Sequence, residues 1–117
     1  MELAECMSQV ASLLRFFIEI RNYSYVDRIS NALTYDPIEI AIKDALRHVR
    51  SLYDASVPLE DEKTGKVLRA IKVDKELKVL PKIPSEECVK RVLDAIREDI
   101  SAARRLAIMA LAYGGGS

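Results

Sequence analysis

The 117-residue chain has few of the side chains that most often do chemistry. It contains one histidine and no tryptophan, and its two cysteines, Cys6 and Cys88, lie 82 positions apart, outside any C-x-x-C pair. His48 has no second or third ligand at helical or loop spacing, so no metal is expected. No nucleophile, base and orienting group can be picked out together, so no catalytic residue and no cofactor are expected either. Thr64-Gly65-Lys66 lacks the G-x-x-x-x-G-K-[ST] spacing of a phosphate loop and reads better as a hairpin turn. Amides are scarce: Gln9, Asn22 and Asn31 stand against 36 charged residues. That balance fits a protein built for high temperature, where ion pairs gain and amides are a liability.

Net charge is absent too. Lys and Arg number 18, and so do Asp and Glu. This excludes a uniformly basic, histone-like binder but leaves local patches open. The first apolar stretch is interrupted by Gln9, Arg15, Glu19 and Arg21, and no stretch reaches the roughly 18 apolar residues of a spanning helix. The start, Met1-Glu2-Leu3-Ala4-Glu5, lacks the basic segment of a signal peptide. A cytoplasmic location is expected, and both cysteines then read as buried small hydrophobes in a reducing compartment.

What is present is enough for one folded unit. Hydrophobic residues make up 50% and charged residues 31%, which excludes a disordered tail. A chain of this length buries roughly 65% of its unfolded surface. Residues 2–21 carry Leu3, Cys6, Met7, Val10, Leu13, Leu14, Phe17 and Ile20 at helical spacing. Ser24 is placed to cap a short helix over 25–33, with Val26, Ile29, Ala32 and Leu33 inward. Asp36-Pro37-Ile38-Glu39 reads as N-cap, first-turn proline and capping box. The helix it opens buries Ile38, Ile42, Ala45, Val49 and Leu52 and ends before Pro58. On its surface His48 is expected to pair with Asp44, four residues earlier.

Residues 67–73 and 77–80 alternate as two strands around an Asp74-Lys75-Glu76 turn. Ser85 then caps a final helix running to about residue 112, with Ile100 and Leu111 in its core stripe. The predicted fold is mainly α: about four helices in a bundle, with a small β-hairpin inserted before the long C-terminal helix. One domain spans 1–113, with the insertion at about 57–84. Gly114-Gly115-Gly116-Ser117 is expected to be a flexible tail.

The positive charge is unevenly spread. Between residues 63 and 82 seven basic side chains face two acids, and Lys66, Arg69, Lys72, Lys75 and Lys78 fall on or beside the proposed hairpin. Lys43, Arg47 and Arg50 follow i, i+4, i+7 on one helix. Lys90, Arg97 and Arg104 follow i, i+7, i+14 on the last. Such stripes can track a phosphate backbone, or keep the outer faces soluble between Asp44, Asp54, Asp94 and Glu98. These eleven residues are the candidate nucleic-acid contacts. Tyr23, Tyr25 and Tyr35 cluster near the short second helix, as packing or as a binding edge. Nothing in the pattern reads base sequence.

The run from Tyr23 to Leu33, the segment Ala41-Ile42-Lys43-Asp44-Ala45-Leu46-Arg47 and the stretch from Ser85 to Arg104 resemble the small-subunit family of archaeal type I-A CRISPR interference complexes. The order of elements is similar as well. The resemblance implies a non-catalytic subunit of an RNA-guided surveillance complex, in which base pairing reads sequence and protein cations meet phosphates. Its implied partners are the backbone subunits of the complex, guide RNA and single-stranded target or displaced DNA, with self-association as a further expectation and no membrane. Two other readings stand beside it. One is a helical scaffold that binds protein only, drawing on its wide apolar faces. The other is a helix-turn-helix regulator built on helices 25–33 and 37–53. Pro37, Ile38, Ile40 and Ala41 would be poor base readers at the start of a recognition helix.

Overall fold

A computed structural model describes residues 2–115. The order is α1 (Leu3–Glu19), α2 (Ser24–Asn31), α3 (Tyr35–Asp54), β1 (Val57–Glu60), β2 (Val67–Val73), β3 (Glu76–Val79), α4 (Glu86–Glu98) and α5 (Ser101–Gly115). The fold is mainly α, with the β insertion ahead of the C-terminal helices, as the sequence predicts.

α1 is the central post. Cys6, Val10, Leu13 and Phe17 are wholly buried because α1 packs against both α5 and α4. It stops where Arg21 takes a left-handed φ of 66°. There the Asn22 N–H reaches the Phe17 carbonyl (2.7 Å) and the Arg21 N–H reaches the Ile18 carbonyl (2.9 Å). This closure satisfies carbonyls that the helix end would leave orphaned. α2 lies on α3 and α5, burying Tyr25, Val26 and Ile29. Leu33, expected inward, is 85% exposed because α2 ends at Ala32 in extended backbone.

α3 buries the stripe Ile38, Ile42, Ala45 and Val49 that its periodicity predicts. Its start differs. Thr34 is the N-cap residue, Tyr35 is already helical, and no side chain caps the end. Asp36 therefore lies inside the first turn, and Glu39 is drawn away to the Tyr35 hydroxyl (3.1 Å) and to Lys43 (3.5 Å).

The predicted hairpin is a three-stranded antiparallel meander of order β1-β2-β3. The extra strand is Val57-Pro58-Leu59-Glu60, which pairs with Ala70 through Val67. A proline is tolerated there because β1 is an edge strand. Thr64-Gly65-Lys66 does turn the chain into β2: Asp61 accepts from the Lys63 N–H and the Thr64 hydroxyl, both at 3.0 Å. Asp74 and Lys75 have φ of 49° and 71°, as a tight hairpin turn requires. The sheet is pinned to the end of α3. The Tyr53 hydroxyl donates to the Pro81 carbonyl (2.6 Å), and Arg69 donates twice to Ser56 (both 2.8 Å). Ile71 and Leu80 join the helical core. On the opposite face Val57 and Val79 flank the fully buried Ala70, and Val57, Leu77 and Val79 are about half exposed.

The single closing helix is two helices. Asp99 is extended (φ −147°, ψ 104°) and ends α4, and its carboxylate accepts from the Ser101 N–H (3.0 Å) to start α5. Asp99 and Ser101 offer the backbone side-chain partners that compete with a continuous helical ladder. The break leaves Ile100 40% and Leu111 50% exposed rather than in the core. α5 continues through Gly115, two residues into the stretch expected as a tail. Residues 116–117 lie outside the described residues.

The cysteines also depart from expectation. Both are fully buried, but they are bonded to each other, joining α1 to the first turn of α4. With 82 positions between them, nothing local in the sequence marks the pair.

Candidate nucleic-acid interface

α3 and α4 run antiparallel across a cleft of about 560 Å³. Tyr35, at the start of α3, meets Arg97, near the end of α4. The row Lys43, Arg47 and Arg50 lines one wall, and Lys90 and Arg97 line the other. Helical spacing produces this: the stripe Ile38–Val49 fixes one side of α3 in the core, so the i, i+4, i+7 row must come out beside it. Leu46, Val89 and Leu93, each under a tenth exposed, form an apolar floor.

Five of the eleven sequence candidates thus share one site. Three acids, Glu39, Glu86 and Asp94, line it as well, leaving an excess of two positive charges. The cations are not equally engaged. Lys43 pairs with Glu39 at 3.5 Å, and Arg47 pairs with Asp44 at 3.2 Å. Arg50 and Lys90 are exposed and make no ion pair among the described residues, so they can meet phosphate without breaking an existing pair. Arg97 holds its guanidinium carbon 4.6 Å above the Tyr35 ring centroid. Burial, followed by the hydrogen bond to Glu39, raises the Tyr35 pKa above the usual tyrosine value. The hydroxyl donates to Glu39 and so helps to fix the ring.

Arg47 also lines a shallower cleft with Tyr25, Arg28, Asp44 and His48. Here the expected His48–Asp44 pair is not made. Asp44 is taken by Arg28 (3.0 Å) and Arg47 (3.2 Å), while His48 Nδ1 bonds the Tyr25 hydroxyl at 2.8 Å and its ring lies against Phe17. Arg28, on α2, was no candidate in the sequence because its partner lies 16 residues away.

The other six candidates lie elsewhere. Lys66, Lys72 and Lys75 are exposed on the sheet and its turns. Lys78 pairs with Glu76 at 3.3 Å. Arg69 is committed to Ser56, and Arg104 is on the outside of α5, so neither lines the cleft. The hairpin charge is thus dispersed over a sheet, whereas the α3–α4 charge converges. Tyr35 is the cleft residue that charge patterning alone misses; its place in the tyrosine cluster was the only sequence signal.

A family model, described as CRISPR-associated protein (Cas_Csa5), matches residues 13–113. The chain belongs to this family. The match runs from the middle of α1 to the last turn of α5 and so includes both walls of the cleft and the whole sheet. The family resemblance read in the sequence is thereby borne out, and the chain is a CRISPR-associated subunit. None of the curated proteins matches the chain. Among the described residues no helix is long and apolar enough to cross a membrane.

Proposed function

We propose that this Cas_Csa5 member is a non-catalytic small subunit of a type I-A RNA-guided complex. In this reading it contacts the phosphates of guide RNA or of target or displaced DNA along the α3–α4 cleft and meets backbone subunits through its sheet. The observation that carries the reading is the convergence of Lys43, Arg47, Arg50, Lys90 and Arg97 on one cleft, inside the segment that the family model matches. Cations on two rigid helices present phosphate contacts without ordering a loop. Base pairing within the complex would supply the sequence reading that these side chains lack.

A protein-only scaffold is the second reading. It is favoured by the outward sheet face, where Val57, Leu77 and Val79 are 48%, 51% and 45% exposed. The two readings separate under charge reversal. Arg50→Glu with Lys90→Glu should flatten the salt dependence of single-stranded DNA binding by about two units in log–log slope, about one for each phosphate that the variant no longer neutralises. Lys66→Glu with Lys75→Glu should leave the slope nearly unchanged. Equal effects from both pairs, or from neither, would remove the cleft as the contact surface.

A further inference from the structure

Resting on that reading, we infer that the α3–α4 cleft seats one base of a bound strand on the exposed face of the Arg97 guanidinium. Three observations converge. Arg97 is exposed yet already placed, its Cζ 4.6 Å over the Tyr35 centroid. Tyr35 is itself held, half-buried at the start of α3, with its hydroxyl bonded to Glu39 at 3.1 Å. The floor beneath is apolar: Leu46, Val89 and Leu93 are 5%, 9% and 6% exposed.

A site for phosphate alone needs cations and no such floor. A floor with an aromatic wall and a fixed planar cation matches a nucleotide, which is flat and apolar at one end and anionic at the other. Bases stack on arginine planes as well as on aromatic rings, and every base offers such a face. The tyrosine beneath restrains the guanidinium before the strand arrives, so binding costs less side-chain freedom. From Tyr35 to Arg50 the wall runs about 22 Å at the rise of an α-helix. A base seated at the Arg97 end thus leaves its neighbouring phosphates along the Lys43, Arg47 and Arg50 row.

The test compares the full-length protein on a thymidine oligonucleotide with the same oligonucleotide carrying abasic sites, equal in length and charge. The expected result is binding weakened by roughly fivefold or more on the abasic strand, the low end of what one stacked base supplies. Arg97→Lys keeps the charge and removes the plane. It should erase the difference between the two strands while leaving the salt slope unchanged. Equal affinity of wild-type protein for both strands, with salt dependence intact, overturns the stacking site alone. Salt-independent binding, or none, overturns the phosphate reading and the stacking site with it.

Discussion

Two stretches of the chain carry dense positive charge, and the supports beneath them differ. On α3 and α4 the basic side chains stand on helices whose opposite faces are locked in the core, and the rows converge across a cleft. On the sheet the lysines stand on short strands and turns, tied to the body by Tyr53–Pro81, Arg69–Ser56 and the packing of Ile71 and Leu80. Equal charge density along a sequence therefore does not mean equal ability to grip a polyanion. What decides is whether helical or strand geometry gathers the side chains on one side. The sheet instead leaves Val57, Leu77 and Val79 about half exposed, a feature that a count of lysines hides.

The largest effect that would sharpen this contrast lies at the disulfide. Closing an 82-residue separation is worth roughly 4–5 kcal/mol on the chain-entropy account. Urea unfolding with and without reductant should show a loss of that order, and hydrogen exchange should place it in α1 and α4. If the sheet amides lost protection as much as the helices, the two regions would not be separate in stability.

Next in size is Leu77→Asp combined with Val79→Asp. Both side chains are about half exposed, so the folded monomer should keep its helical circular dichroism. Affinity for co-expressed backbone subunits should fall roughly tenfold or more, the scale of removing an apolar anchor from an interface. Unchanged co-purification would break the assignment of the sheet to protein contact.

Tyr53→Phe comes third. It leaves the Pro81 carbonyl without its 2.6 Å donor, at a cost of about 1 kcal/mol. Amide exchange should quicken in β2 and β3 and stay unchanged in α1. Uniform quickening would mean that the sheet and the body open as one unit.

The smallest effect is at Asp99, whose pKa is held below the usual carboxylate value by the hydrogen bonds from Ser101. A depressed folded-state pKa stabilises above the ordinary aspartate value, and that contribution fades as pH falls through the folded one. Asp99→Asn should therefore flatten the acid side of the stability–pH curve slightly. A steeper acid limb in the variant would contradict the capping role.

The helical body was largely legible because burial imposes a period: Ile38 through Val49 announce which way α3 faces, and the cationic row follows from it. Ser85 also caps α4 as its sequence predicts, accepting from the Cys88 N–H at 3.1 Å. Other features depend on partners far along the chain. Asp44 at four residues from His48 is a natural pair in sequence, yet Arg28 of α2 arrives to claim it. Pro58 reads as a break, and only an edge position lets it sit in a strand. The α4–α5 break has neither proline nor glycine to mark it, only Asp99 and Ser101 flanking Ile100. The disulfide has no local signal, since two cysteines buried like any apolar side chain look the same whether or not they meet. In the cleft the cations could be read in advance but not Tyr35, whose value depends on α4 returning antiparallel beside it.

The sheet leaves the bundle at Ser56 and returns at Pro81, and both points are clasped to the last turn of α3. An insertion fastened at its stem can be lengthened, shortened or exchanged for another while the five helices keep their arrangement. The bundle would then serve as a common handle, and the appendage as the part free to diverge toward whichever neighbour it must meet.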